Sequence, residues 1–140
     1  MKIQYFSTYK PGPKKQVLIV DSEWNILKLL YAFLSPDFSV VAKNNPVDAF
    51  HWLLDNNEPA IIIAELKSSI FDDSSFIKHL KNSGLYKDIP VILLTEHKDE
   101  SPKSVDTSSY ADAVLMKPFN PSYLVYKINL LIGENRSTMA

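Results

Sequence analysis

Pro59-Ala60-Ile61-Ile62-Ile63-Ala64-Glu65-Leu66 is the stretch on which the reading of this chain turns. Its isoleucines run without polar alternation, so residues 60–64 predict a strand covered on both faces, with a carboxylate just past its end. A strand buried on both sides needs helices above and below it. Gln16-Val17-Leu18-Ile19-Val20 repeats the form and is followed by Asp21-Ser22-Glu23. Residues 38–42, Ile89-Pro90-Val91-Ile92-Leu93-Leu94 and residues 113–116 complete a set of five strands.

Helical spacing fills the intervals. Ile26, Leu29, Leu30 and Phe33 recur over residues 24–34, and Ser35-Pro36-Asp37 breaks the pattern. Asn45 and Pro46 supply an N-cap and a first-turn proline for a helix over 46–56, with Ala49, Phe50 and Leu53 inward. A third helix is predicted from Asp73 or Ser74, with Phe76, Ile77 and Leu80 inward, ending near Ser83-Gly84. Ser101-Pro102 opens a short one, weak because Ser, Thr and Asp compete for backbone hydrogen bonds. Residues 121–132 form the last, with Leu124, Ile128 and Leu131 inward and Gly133 at its end. Five alternating βα units predict an α/β fold, a doubly wound five-stranded parallel sheet, whose functional residues gather at the carboxyl ends of its strands.

The chain has 140 residues and is 46% apolar, enough for one ordinary core and too short for two full domains. A net charge of -1 gives no general attraction to nucleic acid or anionic membrane, and no apolar run approaches the length of a spanning helix. With no signal-like segment at the start, a cytoplasmic location is expected. The absence of cysteine rules out disulfides and thiol chemistry. Residues 1–15 carry Lys2, Lys10, Lys14 and Lys15 without an acid, leaving the remainder at -5, and add Tyr5, Phe6, Tyr9 and Pro11-Gly12-Pro13. They predict a basic, flexible extension ahead of a domain over 16–133, with 134–140 as a tail.

Asp21, Ser22, Glu23, Glu65, Thr95 and Lys117 would thus meet at one sheet edge. The motifs Val17-Leu18-Ile19-Val20-Asp21-Ser22-Glu23, 59–66, Ile89-Pro90-Val91-Ile92-Leu93-Leu94-Thr95 and Ala111-Asp112-Ala113-Val114-Leu115-Met116-Lys117-Pro118-Phe119 together resemble a response-regulator receiver domain, with the flavodoxin-like (βα)5 fold. Separations of 44, 30 and 22 residues between Asp21, Glu65, Thr95 and Lys117 fit that family. The resemblance implies two-component signalling: a histidine kinase as donor, a phosphoacceptor position at residue 65, Mg²⁺ bound by acids after the first strand, and phosphate contacts from Thr95 and Lys117. Such a domain is not an enzyme beyond residual self-phosphotransfer.

Against that pattern Glu65 stands in place of the acceptor aspartate, and its extra methylene moves the carboxylate on the order of 1.5 Å in a reaction governed by positioning. Ser22 stands where the second acid would be, and a neutral hydroxyl holds Mg²⁺ poorly, so Asp21 marks a weak or absent metal site. Val114 occupies the switch position without an aromatic ring. Ser69 replaces a frequent proline, and Lys67 adds a cation near Glu65. Two readings of Glu65 stand side by side: an ion pair with Lys117 that neutralises a partly buried acid, and a partial imitation of the phosphorylated state, limited by its single charge.

His51, His79 and His97 have no metal-ligand spacing, and Asp72-Asp73 suits helix capping. Tyr123, Val125 and Tyr126 predict either a partner face or a completion of the core. With only Gly12, Gly84 and Gly133, no dinucleotide or P-loop glycine motif exists, and acids after the first strand would repel a flavin phosphate. Three functions follow: a degenerate receiver acting by contact with a signalling partner, a histidine kinase or a separate output protein; a phosphorylation-competent receiver; and an adaptor whose basic arm binds nucleic acid or an acidic surface. A homodimer is compatible with the first two.

Overall fold

The computed structural model describes residues 12–66, 71–96 and 111–139, with side chains at 12–66, 76–96 and 111–133. Nine elements follow in the described residues: β1 (Gln16–Val20), α1 (Trp24–Leu34), β2 (Ser39–Lys43), α2 (Pro46–Leu54), β3 (Ile61–Leu66), α3 (Phe71–Asn82), β4 (Val91–Thr95), β5 (Ala113–Met116) and α4 (Pro121–Met139). All strand pairs are parallel, in the order β2-β1-β3-β4-β5. The order reverses between β1 and β3, so the crevice at their carboxyl ends lies where such sheets bind ligands. Asp21 and Glu65 flank it, with Val20 and Ala64 in register.

Strand pleating sorts the apolar run into two cores. Val17, Ile19, Ile61, Ile63, Ile92 and Leu94 pack with Leu27, Leu30 and Leu34 of α1 and Leu124, Ile128 and Ile132 of α4. Leu18, Val20, Ile62, Ala64, Val91 and Leu93 face Ala49 and Leu53 of α2 and Phe76, Ile77 and Leu80 of α3. Each fully buried Leu or Ile contributes about 1.5–3 kcal/mol, which is why the central strands need no alternation.

Several boundaries and faces differ from the sequence expectation. The buried stripe of α1 is Leu27, Leu30 and Leu34, whereas Leu29 and Phe33 are partly exposed and Ile26 only flanks the core. The helix is rotated because the sheet takes the fuller i, i+3, i+7 leucine row. The second helix stops at Leu54, and Asn56 turns out of it with a φ of 67°. α3 begins two residues before Asp73 and ends at Asn82; Gly84 is not left-handed, and Lys81 instead donates to the carbonyls of Lys87 and Ile89. α4 does not stop at Gly133 but runs on to Met139, since helical φ and ψ are open to glycine and nothing after it breaks the turn. β3 extends through Glu65 and Leu66, which puts Glu65 in the last pleat rather than beyond it. The Ser101-Pro102 helix, the arm up to Pro11, Lys67, Ser69 and His97 lie outside the described residues.

Candidate functional site

Asp21 begins the loop from β1 to α1, where its Oδ1 accepts from the backbone N–H of Glu23 at 2.8 Å and its own N–H donates to Lys43 O at 3.1 Å. That turn aims the carboxylate into the crevice and leaves it buried. Glu23 caps α1, its carbonyl accepting from Ile26 and Leu27. Lys117 follows β5 with a cis bond to Pro118, and its N–H donates to Thr95 O at 2.7 Å, tying the ends of β4 and β5 together.

Four charges then meet. Lys117 Nζ lies 2.9 Å from Asp21 Oδ2, 3.4 Å from Glu23 Oε1 and 4.0 Å from Glu65 Oε1. Asp21 Oδ2 accepts no well-aligned hydrogen bond, so the ammonium holds it as an ion pair. Glu65 is gripped from the other side. The Ser22 N–H donates to Oε1 at 3.0 Å, and the Ser22 hydroxyl lies 3.1 Å from Oε1 and 3.0 Å from Oε2.

Burial pushes Asp21 up to about 6 from 3.8, helped by its hydrogen bond with Glu65 and opposed by Glu23 N–H and Lys117. Burial acts upward on Glu65 too, yet the hydrogen bonds with Asp21 and with Ser22 outweigh it and hold this carboxyl below its ordinary range. Lys117 is raised because Asp21, Glu65 and Glu23 together overcome its desolvation. The arrangement therefore favours an ionised Glu65 beside an ammonium, with Asp21 the carboxyl that takes up a proton first.

The sequence reading brings Asp21, Ser22, Glu23, Glu65, Thr95 and Lys117 to one edge, and the structure places them there. It differs on the pairing: the short contact of Lys117 goes to Asp21, and Glu65 is held chiefly by Ser22. Ser22 as a donor was not legible from its position, where it reads only as a lost acid; the hint is a hydroxyl residue facing an acid one methylene longer than an aspartate. Val114 is partly exposed and pairs with Leu93, two residues short of Thr95. His51 is exposed, and His79 packs edge-on against Phe50 at 5.6 Å. Val125 joins the core, while Tyr123 and Tyr126 stay exposed with ring centres 6.0 Å apart.

Mg²⁺ takes near-octahedral oxygen ligands at about 2.0–2.1 Å. Here Asp21 gives one oxygen to Glu23 N–H and the other to an ammonium, both Glu65 oxygens are engaged by Ser22, and residue 22 offers no charge. No group of three or more His, Asp or Glu among the described residues is arranged to hold a metal. This donor set does not fit the ion.

A family profile described as the response regulator receiver domain matches residues 17–129. The chain belongs to that family. It is 29% identical over 124 residues to the transcriptional regulatory protein SrrA of Staphylococcus aureus, covering 88% of this chain and 50% of that protein. The chain thus spans about half the length of the curated relatives it matches. Among solved structures it is similar to the receiver domain of a signal transduction histidine kinase from Syntrophus aciditrophicus, with a TM-score of 0.74, 25% identity and coverage of 86% and 91% of the two chains. It also shares its fold with the receiver domain of sensor histidine kinase PA1611 from Pseudomonas aeruginosa, described with a magnesium ion in the active site cleft, at a TM-score of 0.75, 17% identity and coverage of 86% and 98%. This is a receiver domain of two-component signalling, and no described helix is long and apolar enough to cross a membrane.

Proposed function

We propose that this receiver domain works without phosphorylation, in the cytoplasm, as a protein-binding module whose state is set by contact with a signalling partner, a histidine kinase or an output protein. The observation that carries the reading is Glu65 in the acceptor position with both carboxylate oxygens hydrogen-bonded to Ser22. An in-line attack on phosphorus needs a free carboxylate oxygen and positive charge around the phosphoryl oxygens. Glu65 would have to leave Ser22 first, and its Lys117 ammonium is already 2.9 Å from Asp21. Imitation of the phosphorylated state is disfavoured by the same geometry, because Glu65 is drawn toward the β1–α1 loop. The basic arm gains no support as a nucleic-acid site from its described end, where Lys14 Nζ donates to Ser35 O at 3.0 Å within its own domain.

Incubation with acetyl phosphate and Mg²⁺ followed by intact mass measurement tests the proposal. The expected spectrum is unmodified protein. A stoichiometric, hydroxylamine-labile phosphoryl adduct mapped to Glu65 or Asp21 would make the domain a phosphorylation-competent receiver instead.

A further inference from the structure

Ser22 follows one crevice acid, Asp21, and reaches across to the other, Glu65. Asp21 and Glu65 come from separate strands, both carboxyls are almost wholly shielded from solvent, and Glu65 raises the cost of ionising Asp21 while its own carboxyl is held in the ionised form. The ladder of β1 and β3 puts Val20 beside Ala64 and so fixes the two acids near each other; their buried charge has to be offset by a positive or hydrogen-donating group. Lys117 does part of this, at 2.9 Å from Asp21 and a loose 4.0 Å from Glu65. The rest comes from Ser22, whose backbone N–H and hydroxyl approach Glu65 in three contacts of 3.0–3.1 Å. A carboxylate that accepts such donors is stabilised in its charged form. The added methylene of Glu65 is what lets the carboxylate span the crevice to residue 22.

We propose that Ser22 and Glu65 form a built-in clasp that takes the structural place of a divalent cation, so that the pocket is closed and kept together by the chain itself and is indifferent to Mg²⁺. Ser22 is then a positioning residue, acting on Glu65 and on the seam between β1 and β3. The proposal deepens the phosphorylation-independent reading but does not stand or fall with it: a domain with the clasp intact could still be modified by a strong donor, and a domain without it could still be inert.

Thermal unfolding of the full chain in chelator and in millimolar Mg²⁺, with calorimetric titration of MgCl₂, separates the outcomes. The wild-type midpoint is expected to be the same in both buffers, with no binding heat. Ser22→Ala keeps the backbone donor but loses the hydroxyl, and its midpoint should fall by about 3 °C. Ser22→Thr retains the hydroxyl and should restore most of that loss, which a simple packing defect would not allow. Ser22→Asp places three acids in the crevice; its midpoint should drop in chelator and recover with Mg²⁺, with a heat of binding. A wild-type midpoint that rises with Mg²⁺ as far as that of Ser22→Asp would overturn the clasp, as would a Ser22→Ala midpoint equal to the wild type.

Discussion

Asp21 and Glu65 show how neighbouring carboxyls in one pocket are driven in opposite directions. Asp21 lies deeper and is raised to about 6 by burial, whereas Glu65 is lowered once its hydrogen bonds with Asp21 and Ser22 outweigh its own burial. For Asp21 the folded value exceeds the unfolded one, so the folded chain holds the extra proton between about pH 4 and pH 6. Stability from that proton is complete below about pH 4 and is lost as the pH rises through about 6. Asp21→Asn removes the titration, can still accept from Glu23 N–H, and leaves Lys117 with Glu23 and Glu65. Near pH 7 the variant should therefore be more stable than the wild type by about 1–3 kcal/mol, an advantage that disappears below about pH 4. Urea unfolding across that range measures it, and equal stability at both ends would contradict the assignment. Sequence reasoning located the residues of this pocket, since each lies at or just past the end of a strand. It did not reveal which oxygen goes to which donor, because a span of a few ångströms between Lys117, Asp21 and Glu65 is set by side-chain reach after folding.

Helices and strands were legible wherever burial dictates periodicity. β1, β3 and β4 are apolar on both faces and could be read as central strands, while α2 announces itself through Asn45, whose Oδ1 accepts from Asp48 N–H at 2.8 Å and whose Nδ2 donates back to Asp48 Oδ2 at 2.9 Å. The exposed leucine and phenylalanine of α1 misled the choice of stripe, because nine of its eleven residues are apolar and several rows compete. Gly133 misled more instructively. Glycine after a periodic run predicts a helix end, yet α4 passes through it in a conformation open to any residue, and a Cβ added there meets nothing within 4 Å. Gly133→Ala should thus stabilise the domain by about 0.5–1 kcal/mol through helix propensity and a less flexible unfolded chain. A lower thermal midpoint for this variant would place the end of α4 at Gly133 after all.

At the scale of the molecule, the five-stranded receiver fold is intact while its crevice is arranged differently from a metal-dependent acceptor. The two cores lie on opposite faces of the sheet and depend on none of the crevice residues, so substitutions in the crevice cost the architecture little. That separation explains why the fold was readable from four motifs and their spacing while the pairing within the site was not: the motifs report strand ends, and the pairing turns on one hydroxyl that meets one longer carboxylate. Amide chemical-shift mapping with beryllofluoride and Mg²⁺ tests the central claim most directly, since the probe needs an available carboxylate and a bound cation but no kinase. Resonances at the ends of β1, β3 and β4 should stay where they are for the wild-type chain and move for a Ser22→Asp, Glu65→Asp double variant. Saturable shifts of the wild-type resonances around Glu65 and Thr95 would show a functioning acceptor site and contradict the account.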